Sequence, residues 1–293
     1  MKKIVMLNDY DLYLTYSWGN FNHGICGHTF EVIDYFNLLT NHMNVAILLC
    51  EDITYDTFEA AITEKYIFTS KQVKYIMDNT IFLNRPILLK GTNILFVDGE
   101  VDIIKDNTQL FFNNVFMFAC GNKNVIHSKY NVLLDQRVYQ TDMGTHYVKK
   151  IDFKNIKIPE KHDNKTLIYA TENCRLLSQD IVDTIADDMI IISNFSNFKE
   201  TNNTINNVRP PINNIFERFN KFIYTPISKK FDCSSRFVAE CKYLNIEVEY
   251  MVDYFDEDLG LYYRKYDIEN DFKSLELTND DFIIEYLKEL IWI

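Results

Sequence analysis

At 293 residues, with 47% apolar side chains, 22 Phe and 19 Tyr, the chain is long enough for two domains of ordinary size with buried cores. Its formal net charge of −12 excludes a surface wholly given to nucleic-acid phosphate, while leaving room for one local basic groove. No apolar run is long enough to cross a bilayer, and the scattered cysteines at 26, 50, 120, 174, 233 and 241 form no Cys-x-x-Cys pair.

The chain opens Met1-Lys-Lys-Ile-Val-Met-Leu-Asn8, where Asn8, Asp9 and Asp11 break the apolar run too early for a signal peptide. It reads as a first strand of a cytoplasmic protein, followed by a long polar and aromatic loop. Thr29 to Thr40 places Phe30, Ile33, Phe36 and Leu38 or Leu39 on one helical stripe, with Thr29 as N-cap and Glu31 in the first turn. Asn44-Val-Ala-Ile-Leu-Leu-Cys50 suits a central parallel strand, so strand, helix and strand form a βαβ unit. Helices are expected at 56–65 and 70–77, and strands at 92–97, 114–119 and 131–134.

The charged, Asn-bearing stretch around Ile158-Pro-Glu-Lys-His-Asp-Asn-Lys165 marks a boundary, giving domains over 1–155 and 156–293. A second alternation follows: a strand at 166–170, a helix at 176–187 and a strand at 189–192. A surface excursion at 194–214 leads to a short helix at 215–219 and a strand at 222–225. A helix and a second strand complete the segment to Tyr250, and a last helix spans 280–291. Repeated alternation of this kind predicts an α/β protein with parallel sheets flanked by helices.

Candidate chemistry concentrates where strands give way to helices. Phe222 to Tyr250 carries Lys229, Lys230, Asp232, Ser234, Ser235, Arg236 and Glu240 on one strand–loop–helix corner. Glu240 can clasp two vicinal hydroxyls as a bidentate acceptor, and Arg236 with Lys229 or Lys230 can neutralise a diphosphate. Glu240 also lies among Phe237, Val238, Ala239 and Cys241, which implies burial and therefore a partner. An N-cap role explains Asp232 nearly as well as a ligand contact does. In Tyr169-Ala-Thr-Glu-Asn-Cys-Arg175, backbone N–H groups and Arg175 suit a phosphate, although an ordinary loop with an exposed arginine accounts for that stretch taken alone. Between the first strand and helix, Gly24 and Gly27 permit close backbone approach to a ligand. His28 can there meet a sugar hydroxyl or phosphate, while His23 and His28, five apart, do not suit a metal. Asp98, Glu100 and Asp135, at strand ends, are candidate general bases among which the sequence does not choose.

Together these corners resemble glycosyltransferases of the two-Rossmann-domain kind, the GT-B fold. Gly24-Ile-Cys-Gly-His-Thr-Phe-Glu31 is similar to that family's Gly-rich acceptor-side loop and helix, and 169–175 to its opening donor loop. Asp232-x7-Glu240 resembles the two-acid motif of the retaining branch, with Asp in first position. Gly27-His28 replaces a common Gly-Gly, and Lys-Phe-Asp-Cys-Ser-Ser replaces the usual context of the acidic motif. The resemblance implies two Rossmann-like domains facing across a cleft, and transfer from a UDP- or GDP-sugar without a catalytic metal or further cofactor. It assigns the ribose to Glu240, the transferred sugar to Asp232, and the diphosphate to Arg175, Lys230 and Arg236. In size and AT-rich character the chain is similar to phage-encoded transferases, some of which decorate modified DNA bases, so the implied acceptor is such a base or a glycan. A non-catalytic interaction protein of the same fold, or another two-domain nucleotide enzyme such as a sugar epimerase, are the alternatives.

Overall fold

A computed structural model describes residues 3–16, 25–49, 53–83, 87–99, 110–119, 131–135, 144–170, 189–193, 204–206, 215–224, 236–250, 255–256, 261–262 and 272–292. Its contacts divide the chain into two compact units, Met1–Asn155 with Ser274–Ile293, and Ile156–Lys273. The closing segment, expected with the C-terminal domain, therefore belongs to the first unit. Backbone pairing explains this: Ile151 N–H donates to Leu275 O at 2.7 Å, and Leu277 N–H to Ile151 O at 2.8 Å.

The first unit is built on an eight-stranded sheet of β1 (Lys3–Leu7), β2 (Leu12–Thr15), β3 (Val45–Leu49), β4 (Thr80–Phe82), β5 (Ile87–Gly99), β6 (Leu110–Ala119), β7 (Asn131–Asp135) and β8 (Thr145–Tyr147). Every pairing is parallel, in the order β4-β3-β2-β5-β6-β7-β8, with β1 also beside β5. Helices α1 (Gly27–Leu39), α2 (Tyr55–Lys65) and α3 (Ser70–Asp78) connect the early strands. Thr54 and Thr69 cap α2 and α3 by accepting from Thr57 N–H and Gln72 N–H.

The loop expected after β1 contains β2, which is fully buried. This shifts the predicted βαβ unit: its first strand is β2, paired with β3, whereas β1 pairs with β5 alone among the described strands. β1 and β2 lie end to end along one edge of β5, with Leu7 opposite Gly91 and Tyr13 opposite Ile94. A Cβ on Gly91 would stand 2.8 Å from Leu7 O, so only glycine fits this approach. The interruption at 8–11 leaves backbone carbonyls outside the ladder, and β5 side chains meet them. Thr92 Oγ1 donates to Tyr10 O at 3.1 Å and Asn93 Nδ2 to Asp11 O at 2.8 Å.

The first core has an aromatic column. Tyr35 of α1 packs on Phe118, which stacks on Tyr147, which stacks on Phe282 of α5 (Asp281–Ile291). Lys150 N–H donates to Tyr35 Oη at 3.0 Å, the Tyr35 and Tyr147 hydroxyls are 2.9 Å apart, and Tyr147 donates to Asp280 Oδ2 at 2.7 Å. Asp280 Oδ1 caps α5 by accepting from Ile283 N–H. The chain of hydroxyls thus joins α1, β8 and α5.

The second unit has a five-stranded sheet of β9 (Thr166–Ala170), β10 (Met189–Ser193), β11 (Thr204–Asn206), β12 (Lys221–Tyr224) and β13 (Glu247–Tyr250), all parallel in the order β11-β10-β9-β12-β13. The expected surface excursion at 194–214 thus includes a strand, and the predicted helix at 176–187 lies outside the described residues. Helix α4 (Arg236–Tyr243) packs on this sheet, Phe237 meeting Phe222 edge-on at 5.0 Å and stacking on Phe216 at 5.3 Å. A short antiparallel pair, β14 (Phe255–Asp256) and β15 (Leu261–Tyr262), follows.

α4 stops in a Schellman motif. Asn245 takes φ 59°, its N–H donates to Lys242 O, and Ile246 N–H donates to Cys241 O. Asn245→Gly is expected to retain or raise stability, whereas Asn245→Val costs about 1–2 kcal/mol, because a branched side chain opposes the left-handed backbone. Urea unfolding checks both. Burial raises the pKa of Tyr35 and Tyr147 above the ordinary 10.0, and the neighbouring Asp280 charge adds to the rise for both. The folded state then binds more protons than the unfolded state above pH 10, so stability falls as pH rises past that point. Tyr147→Phe removes the donor to Asp280 and is expected to cost about 1–3 kcal/mol near neutral pH, measured by the same unfolding curves.

Candidate functional site

Ligands of open parallel sheets bind beyond the C-terminal strand ends, where the strand order reverses. In the first unit β2, β3 and β4 step one way across the sheet and β5 to β8 step the other, so the reversal lies between β2 and β5. In the second unit the same reversal lies between β9 and β12. Most sequence-predicted site residues fall on a segment that ends or follows one of these four strands; Asp135 instead closes β7, and Glu100, just after β5, lies outside the described residues. Gly27 and His28 follow β2, Asp98 closes β5, and Arg175 follows β9. Lys230, Asp232, Ser234, Ser235, Arg236 and Glu240 follow β12. Arg175, Lys230, Asp232, Ser234 and Ser235 lie outside the described residues, and only the backbone of Asp98 is described.

At the first reversal, α1 begins two residues earlier than its predicted N-cap. Cys26 is extended, with φ −146°, and occupies the cap position. Thr29 folds back so that its Oγ1 accepts from Cys26 N–H at 3.0 Å, which makes it the inner half of the cap. His28 is therefore the second residue of the helix, not a loop residue before it. Its Nδ1 stands 3.4 Å from Glu31 Oε2. Glu31 is buried, and the equally buried Lys149 donates to the same oxygen at 2.9 Å. One turn further, Asp34 Oδ1 accepts from Tyr66 Oη at 2.7 Å and its Oδ2 accepts from Asp152 N–H at 3.1 Å.

At the second reversal, Arg236 is the first residue of α4 and Glu240 lies one turn on. Arg236 Nε donates to Glu240 Oε1 at 2.7 Å, with side-chain exposures of only 6% and 2%. The burial and partner expected for Glu240 are both present, and that partner is Arg236. Cys26 is half-buried and Cys241 buried, both as thiols. Among the described residues, no cluster of three or more His, Cys, Asp or Glu could hold a metal, and no helix is long and apolar enough to cross a membrane.

Sequence reasoning missed Lys149 and the buried roles of Glu31 and Asp34. Lys149 carries no local signal, since its partner is remote in sequence. Asp34 did carry one: a carboxylate at a helical interval within the apolar stripe needs hydrogen-bond donors. Family models, curated proteins and solved structures, all compared with this chain, give no match.

Removing one member of a buried ion pair strands the other. Lys149→Ala is expected to destabilise the fold by about 3–5 kcal/mol, and Lys149→Met combined with Glu31→Gln by distinctly less, as thermal and urea unfolding would show.

Proposed function

We propose that the chain is a glycosyltransferase that moves a sugar from a UDP- or GDP-sugar onto an acceptor hydroxyl, with the donor on the second unit and the acceptor on the first. The cleft between two domains, and action in the cytoplasm, belong to this proposal. One observation supports it above others: each unit has a parallel sheet with its own order reversal, and the predicted site residues border both reversals. Two nucleotide-type sheets in one chain suit a reaction with two substrates.

In the proposed reaction the bond from the sugar's anomeric carbon to the donor phosphate breaks, and its electron pair leaves with the nucleoside diphosphate. The acceptor oxygen forms the new bond to that carbon and gives its proton to a base. Asp98 and His28 are the candidate bases on the acceptor side. Glu240 accepts the ribose hydroxyls, Ser234 and Ser235 add hydroxyl and backbone donors, and Asp232 meets the transferred sugar. Arg175 and Lys230 stabilise the charge that develops on the leaving diphosphate. The acceptor is a glycan or a modified base in phage DNA.

A non-catalytic interaction protein of the same fold is favoured by one feature. Arg236 already engages the carboxylate assigned to the ribose. Calorimetry separates the readings. Titration with UDP-, GDP- and ADP-sugars is expected to show binding of at least one, weakened about tenfold in Glu240→Gln, the worth of one hydrogen bond to a charged group. Absence of heat with all of them would sink the enzyme reading.

A further inference from the structure

We infer that Arg236 is a positioning residue for Glu240, and that it does not itself bind the diphosphate; this rests on the nucleotide-binding reading above. The observation is the ion pair on α4, with Nε to Oε1 at 2.7 Å and both side chains almost wholly buried.

Three constraints lead there. First, Arg236 presents the Nε edge of its guanidinium to a carboxylate of its own helix, four residues on. A guanidinium is a planar fork, so committing that edge fixes the plane of the whole group. Second, a glutamate has three side-chain torsions, and ordering a long side chain on binding costs conformational entropy. Arg236 orders Glu240 before any ligand arrives, which raises the affinity that two ribose hydroxyls can draw from it. Third, the pair is placed for this task. α4 follows β12, a strand that borders the order reversal of the second sheet, and its first turn carries Arg236. Phe237 locks that turn onto the sheet through Phe216 and Phe222. The turn that carries Arg236 is therefore held against Phe222 of β12 and against Phe216 just before that strand. The charge facing the diphosphate then falls to Arg175 and Lys230.

The proposal separates from a phosphate contact, and from a purely structural pair, by which part of the ligand each variant ceases to recognise. The full-length chain is titrated calorimetrically with UDP, 2′,3′-dideoxy-UDP and uridine, or with the guanosine series if GDP is the nucleotide that binds. Wild type is expected to lose about tenfold in affinity when the ribose hydroxyls are removed. Arg236→Gln is expected to lose a similar factor on UDP and on uridine, yet to bind the dideoxy nucleotide as wild type does. In a Glu240→Gln background, Arg236→Gln is expected to have no further effect on binding. That double variant removes both charges together, so it keeps the test open if the single variants fold poorly. Arg236→Lys retains the charge without the planar fork and is expected to recover only part of the loss.

Two results would overturn the inference. Arg236→Gln could weaken UDP and dideoxy-UDP alike while leaving uridine unchanged, which marks a phosphate contact. It could instead leave all three affinities as in wild type while lowering only the unfolding midpoint, which marks a structural pair. Either result leaves nucleotide binding by the wild type standing. Failure of wild type to bind any nucleotide would remove the inference together with the reading beneath it.

Discussion

The first unit depends on the backbone pairing of β5. Over thirteen residues this strand carries β1 and β2 on one edge and β6 on the other, so almost every short strand near it takes its register from β5. A strand this long in the middle of a parallel sheet must have its polar groups matched on both sides. The gap between β1 and β2 is where matching by strand alone fails, and Thr92 and Asn93 complete it with side chains. Asn93 is in turn held by Asn114 of β6, whose amide lies 2.8 Å away and also reaches Leu290 O of α5. Asp11 closes the other side by accepting from Asn44 N–H, immediately before β3. A short polar seam therefore runs from the edge of β3 through β5 and β6 to the last helix. It fixes where β2 starts beside β3 and β5.

Both units solve the same topological problem in the same way. A chain that lays down three neighbouring parallel strands, then crosses to the far side of the first, leaves a crevice that no crossover covers. In the first unit the crossing is from β4 to β5, and in the second from β11 to β12. The helices that leave these corners bury ionic side chains: Glu31 with Lys149 on α1, and Arg236 with Glu240 on α4. Their partners differ in kind. Lys149 comes from a remote segment and ties α1 to the rest of its unit, whereas Arg236 comes from the same helix as Glu240.

Much of the fold was legible because parallel strands buried on both faces read as continuous apolar runs, as at Val45–Leu49 and over 115–118 within β6. β2 was hidden by its neighbours: four apolar or small residues inside a stretch rich in Asp and Tyr did not resemble an element by themselves. β4 and β8, at three residues each, were below what periodicity can detect. The start of α1 was misplaced because Thr29 has the chemistry of an outer cap, and only the folded chain shows it reaching back to Cys26. On the site side, local spacing correctly brought Glu240 to a buried position with a partner. It assigned Arg236 to the charge of a diphosphate, whereas the folded chain sets its Nε 2.7 Å from Glu240 Oε1. Burial, which spacing does not reveal, gives that pair another meaning. The pairing of Glu31 with Lys149 was beyond any local reading.

Burial also decides what such a pair can be for. An exposed i to i+4 bridge is worth a few tenths of a kcal/mol, and its geometry is loose. Desolvating both charges removes that looseness, but apolar residues of similar volume would generally serve stability as well or better. Stability alone is thus a weak reason for an Arg and a Glu inside α4, where Val238, Ala239 and Cys241 already supply apolar contact. Fixing the direction of a carboxylate is a reason that apolar residues cannot meet. The same consideration applies less strongly to Glu31, because Lys149 joins separate segments and so has a structural task of its own. Of the two pairs, the one within α4 therefore better suits a ligand-directed role, and α4 follows β12, which borders the order reversal of its sheet.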